Sequence, residues 1–131
     1  MIVVDTSALM AIVLGEPEGP AFKTRLGRSP GALISSVSVL ESRMVVYGRR
    51  GPRALVLLND LLALPGFEIV SPDEAQVAAA FNAFVAFGKG SGHPAGLNFG
   101  DVFAYALAKT RRLPLLFKGN DFSETDLEAA L

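Results

Sequence analysis

Four acidic residues stand where a carboxylate could do chemistry. Asp5 closes an apolar run, Glu41 sits in an otherwise apolar or small stretch, Asp101 follows a glycine-rich loop, and Asp121 follows a second apolar run. The sequence has no cysteine, and its single histidine, His93, lies in a glycine-rich segment with nothing beside it to pair the imidazole. Disulfides, thiol nucleophiles and thiolate metal sites are thereby excluded, and no Ser-His-Asp or phosphate-loop pattern is present. What remains is oxygen chemistry. Carboxylates brought together repel one another, which raises pKa values and destabilises the metal-free site. A hard divalent cation relieves that conflict through oxygen ligands. Magnesium is the expected ion, and manganese also fits. Such a centre suits phosphodiester hydrolysis, in which the ion positions phosphate oxygens, assists formation of hydroxide and stabilises the leaving oxygen. Glu41 or Asp121 could orient the attacking water, and one or two ions are both compatible with the residues.

The elements that must carry these acids follow from the apolar pattern. Met1 to Val4 is a β-branched run of the kind a buried parallel strand uses. Thr6 and Ser7 offer capping hydroxyls before a helical stretch from Ala8 to Leu14, which Gly15 and Pro17 end. Ala21 to Leu26 reads as helix, Leu33 to Ser35 as strand, and Val37 to Gly48 as the helix bearing Glu41. Gly51-Pro52 breaks the chain before an apolar helix from Arg53 to Leu64. Phe67 to Val70 is a third strand, and Ser71-Pro72-Asp73-Glu74 starts a helix that runs to about Phe87. After the Lys89 to Gly96 loop come a helix from Asp101 to Thr110, a strand from Leu113 to Phe117, and a last short helix from Ser123 to Ala130.

Strands alternating with helices imply an α/β fold with a parallel sheet, and in such sheets ligands gather beyond the carboxyl ends of the strands. Asp5 and Asp121 both follow strands and belong to that edge. Asp101 opens a helix, whose free N–H groups favour a carboxylate. Each acid also has an ordinary structural reading: Asp5 as a helix cap, Asp101 as a first-turn acid, Glu41 on a solvated stripe, Asp121 in a loop. Their joint placement decides between the two.

At 131 residues the chain fits one domain, 1–131, and half of it is hydrophobic with 19% charged, which is globular rather than disordered. The net charge of −1 advertises no polyanion partner. Charge by position says more: Arg43, Arg49, Arg50 and Arg53 form one basic group, and Lys109, Arg111 and Arg112 another. Either patch could hold a polyanion or simply be solvated. The apolar start is too short to cross a bilayer, lacks a basic leader and contains Asp5, so the expected location is the cytoplasm, with no membrane partner. The strongly apolar segments Ala8 to Leu14 and Arg53 to Leu64 are either deeply buried or cover a partner site.

Four pieces, Ile2-Val3-Val4-Asp5-Thr6-Ser7-Ala8-Leu9, Ser38-Val39-Leu40-Glu41, Asn98-Phe99-Gly100-Asp101 with the helix after it, and Phe117-Lys118-Gly119-Asn120-Asp121-Phe122, occur in the order seen in the VapC branch of PIN-domain toxins. The chain resembles that family along essentially its whole length. The resemblance implies a three-layer α/β/α sandwich around a mainly parallel sheet and a magnesium- or manganese-dependent endoribonuclease. It also implies the toxin half of a type II toxin–antitoxin pair, with RNA as substrate, a small cognate antitoxin as inhibitor, and a homodimer. The family's first three acids match Asp5, Glu41 and Asp101, and its hydroxyl residue near the first acid matches Thr6 or Ser7. Relatives often carry paired aspartates where this chain has Asn120 and Asp121, so the fourth site residue is Asp121 with Asn120 as the alternative. Lys118, one step past a strand, could contact phosphate or neutralise the acids. Arg43, Arg49 and Arg50 are the candidate RNA contacts.

Two rivals remain in view. A receiver domain would need a phosphoacceptor aspartate at the end of a central strand, but Ser36 and Ser71 follow the two middle strands. A catalytically silent binding module of the same fold would have no use for clustered acids that cost stability.

Overall fold

A computed structural model describes residues 1–131. Four strands, β1 (Ile2–Val4), β2 (Ala32–Ser35), β3 (Phe67–Val70) and β4 (Leu115–Leu116), form one sheet in the order β3-β2-β1-β4. All three pairings are parallel, with Val3 opposite Leu33 on one side and Leu115 on the other. Five helices connect and cover them: α1 (Thr6–Val13), α2 (Gly19–Arg28), α3 (Ser36–Leu62), α4 (Glu74–Phe87) and α5 (Phe99–Arg111).

β1, β2 and β4 are short, mostly apolar and buried on both faces, whereas the edge strand β3 exposes Glu68 and Ile69. Val3, Leu33 and Leu115 point into a core shared with α4 and α5, where Ala83, Val102, Ala106 and Leu107 are buried. Ile2, Val4, Ala32, Ile34 and Leu116 point the other way, against Leu9 of α1, Phe22 of α2 and Val46 and Leu58 of α3. The period-two alternation of side chains along each strand thus divides one apolar run between two cores. The result is a three-layer α/β/α sandwich, as expected.

The expected break at Gly51-Pro52 is present: Gly51, at φ 75°, is non-helical and divides α3 into two helical segments across a kink. Glycine is required there because that backbone conformation is costly for other residues. One expectation is corrected: the last helix, read from Ser123 to Ala130, does not form. Phe122–Glu124 makes a single 3-10 turn. The chain then runs alongside β4, where the Leu115 N–H donates to the Glu128 carbonyl (2.9 Å) and the Ala130 N–H donates to the Leu115 carbonyl (2.8 Å). An exposed strand edge offers unpaired backbone groups, and the tail satisfies them better than one isolated helical turn would satisfy its own.

Candidate active site

The sheet order reverses at β1. The chain proceeds from β1 to β2 and β3 on one side, then returns to place β4 on the other. The crevice beyond the carboxyl ends of β1 and β4 is therefore the topological switch point, where open α/β sheets bind ligands. Asp5 follows β1 immediately and is the N-cap of α1. One carboxylate oxygen, Oδ2, accepts from the Ser7 N–H (3.0 Å) and from Ser7 Oγ (2.6 Å). Ser7 Oγ in turn accepts from the Lys118 backbone N–H (3.0 Å), which ties the exit of β4 to the exit of β1. Thr6, the other hydroxyl candidate, is buried and donates to the Ser38 carbonyl (3.3 Å), joining the first turns of α1 and α3. Asp5 thus caps α1 while standing at the carboxyl edge of the sheet.

Asp101 arrives from the opposite layer. Asn98 caps α5, its Oδ1 accepting from the Asp101 N–H, while Asp101 Oδ2 accepts from the Asn98 N–H, both at 2.9 Å. This reciprocal capping box fixes the Asp101 side chain at the helix start. Glu41 lies in the second turn of α3, and its carboxylate rests against Gly100, the residue before Asp101. Asp121 is exposed, in the loop after β4, next to Phe122, whose buried ring packs on Phe117 at 5.3 Å. Asn120 is exposed beside it.

Electrostatics links these acids. Burial pushes the Asp5 carboxyl up to about 6; the Ser7 hydroxyl and N–H oppose the rise, and the charges of Asp101 and Glu41 add to it. Burial also raises Asp101, against the Asn98 N–H, with the charges of Asp121 and Glu41 adding to the rise. The charges of Asp101 and Glu41 thus act on Asp5, and those of Glu41 and Asp121 on Asp101. The four acids do not close into a cage: no three acidic or histidine side chains come together at metal-binding spacing. Asp5 is tied to Ser7 and Asp101 to Asn98, and the Glu41 carboxylate lies against Gly100. The donor set, carboxylate oxygens alone, suits a hard divalent cation that keeps part of its water shell.

The remaining candidates are placed elsewhere. The Lys118 ammonium bridges Glu16 (3.3 Å) and Glu18 (3.2 Å) in the α1–α2 loop, so its charge is spent away from Asp5 and Asp101. Arg43 donates to Asn59 Oδ1 within α3 (3.3 Å). Arg49 and Arg50 are exposed just before the kink, about 12 Å along the helix from Glu41 at 1.5 Å per residue. His93 is structural: its Nδ1 accepts from the Ala95 N–H (3.1 Å) and its ring packs edge-on against Phe87. The apolar pocket at the amino ends of the strands, lined by Leu26, Leu61, Leu64 and Phe67 among others, contains none of the four acids. Asn98, Gly100 and Ser38 stand in the motif segments but receive no role from the sequence, although Asn followed three residues later by Asp is a legible capping spacing; the buried Ser38 Oγ has no partner.

The PIN domain family model matches residues 2–128. Ribonuclease VapC28 of Mycobacterium tuberculosis is 43% identical over 129 residues, spanning 98% of this chain and 97% of the relative. In structure, VapC20 of Mycobacterium tuberculosis, a Sarcin-Ricin loop cleaving toxin, is similar with a TM-score of 0.79 at 19% identity, over 97% of this chain and 96% of that one. A toxin-antitoxin complex from Klebsiella pneumoniae is similar with a TM-score of 0.68 at 18% identity, over 94% of this chain and 91% of that one. The chain belongs to the PIN-domain family. Ribonuclease VapC42 of Mycobacterium tuberculosis is likewise similar, 41% identical over 128 residues and 98% of each chain.

Proposed function

We propose that the protein is a divalent-metal-dependent endoribonuclease, the toxin of a toxin–antitoxin pair, which hydrolyses RNA at the carboxyl edge of its sheet. The observation that carries this reading is the pair Asp5 and Asp101. Both are raised by burial and by neighbouring acids, and the charge of Glu41, whose carboxylate lies against Gly100, acts on each. The 43% identity to a VapC ribonuclease, along nearly the whole of both chains, supports RNA as the substrate.

Asp5, Asp101 and Glu41 would hold magnesium, with manganese able to replace it. The bound ion supplies charge for the phosphate oxygens and a water of lowered pKa. Ser7 keeps the Asp5 carboxylate aimed into the crevice through its two hydrogen bonds. The Asn98 capping box does the same for Asp101. Asp121, whose charge acts on Asp101, or Asn120 in its place, would orient the attacking water. Arg43, Arg49 and Arg50 track the RNA backbone away from the cut. Residues 1–131 act as one PIN domain in the cytoplasm; no helix is long and apolar enough to cross a membrane.

An antitoxin partner is supported by the fold shared with a toxin-antitoxin complex. A homodimer is supported by exposed apolar side chains at helical spacing on α4, Val77, Phe81, Phe84 and Val85, which have no cover within the chain. The test is cleavage of a fluorescent RNA by the purified protein. Magnesium or manganese should each support cutting, and a chelator should abolish it. Equal rates with chelator present would overturn the metal-dependent reading.

A further inference from the structure

We infer that Gly100 is a positioning residue for Glu41, its missing side chain forming the seat that holds the Glu41 carboxylate between Asp5 and Asp101. The inference rests on the proposed role of Glu41 in the metal site and goes beyond it, because Gly100 carries no functional group at all.

Gly100 is the second residue of α5, and its backbone is not in the left-handed region that favours glycine. Conformation alone therefore permits any residue here, and alanine is the better helix former. Space is the reason for glycine. A Cβ at position 100 would stand 2.8 Å from Glu41 Cδ and 3.0 Å from Oε1, with Oε2 closer still, and its three nearest neighbours are all Glu41 atoms. Real Cβ atoms do not approach a carboxylate that closely. The obstacle is the mobile end of a long side chain, so the fold can accept a methyl group there; what must move is the carboxylate.

The seat also has an electrostatic reason to be at this spot. The first turn of a helix presents N–H groups with no partner in the helix and the positive end of its dipole. Asp101 already takes the Asn98 N–H in this turn. Without a side chain at position 100, a second carboxylate from α3 can lie against the same turn. Glu41 thereby comes within the field of both Asp5 and Asp101, although it belongs to the layer on the other side of the sheet from α5.

The geometry also gives a rescue. A methyl at position 100 projects one carbon–carbon bond, about 1.5 Å, and replacing Glu41 by Asp withdraws the carboxylate by the same length. Glu41→Asp should therefore harm the wild-type chain and help the Gly100→Ala chain. A merely structural glycine would not reverse the sign of a second substitution.

The experiment compares four proteins with the parent: Glu41→Gln, Glu41→Asp, Gly100→Ala and the double variant Gly100→Ala/Glu41→Asp. Each is measured for RNA cleavage, for binding of manganese alone by calorimetry, and for melting temperature without metal. Gly100→Ala should lower kcat/KM by about 100-fold, as expected for a misplacement of about 1 Å, and weaken manganese by about tenfold, with a melting temperature no lower than the parent's. The double variant should regain at least about half of each loss on a logarithmic scale. Parent-like cleavage and manganese affinity in Gly100→Ala would overturn the seat while leaving the metal-site reading intact. So would a double variant no better than Gly100→Ala, or a Gly100→Ala chain that loses its fold and does not regain it in the double variant. Parent-like cleavage in Glu41→Gln would instead remove Glu41 from the reaction and overturn both.

Discussion

Asp5 and Asp126 are both aspartates close to β1 or β4, yet their surroundings treat them in opposite ways. Asp126 accepts from the Tyr105 hydroxyl (2.7 Å) and is ion-paired with Lys109. Those two partners, Lys109 first, hold its carboxyl below the ordinary range. Asp5 is 4% exposed, accepts only from Ser7, and meets the charges of Asp101 and Glu41, which add to a rise that burial begins. Lys118, whose backbone N–H joins the Asp5 network, sends its ammonium to Glu16 and Glu18 instead. The difference separates a carboxylate paired with a cation from one that caps a helix with no cation beside it. Asp126 fastens the C-terminal segment to α5 and is electrically satisfied. Asp5 and Asp101 have no paired cation, and positive charge placed beside them would lower both carboxyls again.

The largest contrast should appear in activity. Asp5→Asn or Asp101→Asn should lower RNA cleavage by roughly 10²–10³-fold, whereas Asp126→Ala should leave it within about twofold of the parent, all at saturating manganese. Loss of cleavage in Asp126→Ala, with an intact fold, would erase the distinction. Stability should show the reverse ranking. The folded pKa of Asp5 is about 6 against an ordinary 3.8, so between those values the folded chain holds more protons than the unfolded one and its stability falls as pH rises. Above about pH 6 the loss is complete, at most about 3 kcal/mol for a shift of this size. Metal-free Asp5→Asn should therefore melt higher than the parent at pH 7 and nearly level with it at pH 4, since the amide oxygen can still accept from Ser7. Thermal melts across that range check the crossing.

Asp126 has the opposite sign. Its depressed pKa contributes stability above the unfolded value of 3.8, and that contribution is lost as pH falls through the folded pKa. Asp126→Ala should destabilise by about 1 kcal/mol at pH 7, because the half-buried Tyr105 hydroxyl loses its partner, and the deficit should shrink in acid. Denaturant titrations at pH 7 and pH 3 measure both. The smallest effect concerns the arginines. Arg49→Ala with Arg50→Ala should reduce the slope of log affinity against log salt by about 0.7 for each phosphate no longer neutralised. An unchanged slope would acquit that patch.

The sequence announced the frame because its signals were local. Ile2 to Val4 could only be a buried strand, and Asp73 with Glu74 could only open a helix. It failed at Ser123 to Ala130, where helical composition yielded to the open edge of β4, a partner more than ten residues back in the chain. The same limit applies at the site. Asp5 and Asp101 were readable as acids at element boundaries. Gly100 was not, because the reason for glycine there is a carboxylate 59 positions away. Nor was the fate of the Lys118 side chain, which depends on where the α1–α2 loop places Glu16 and Glu18.

The central claim is that Asp5, Glu41 and Asp101 together form one divalent-cation site. Anomalous diffraction from crystals soaked in manganese, at a concentration that supports RNA cleavage, tests it most directly. The account predicts a peak bounded by the Asp5 and Asp101 carboxylates with Glu41 beside it, absent in Asp5→Asn. Manganese bound only at other acids, such as Asp126 or Glu16, in crystals of an active protein would contradict it.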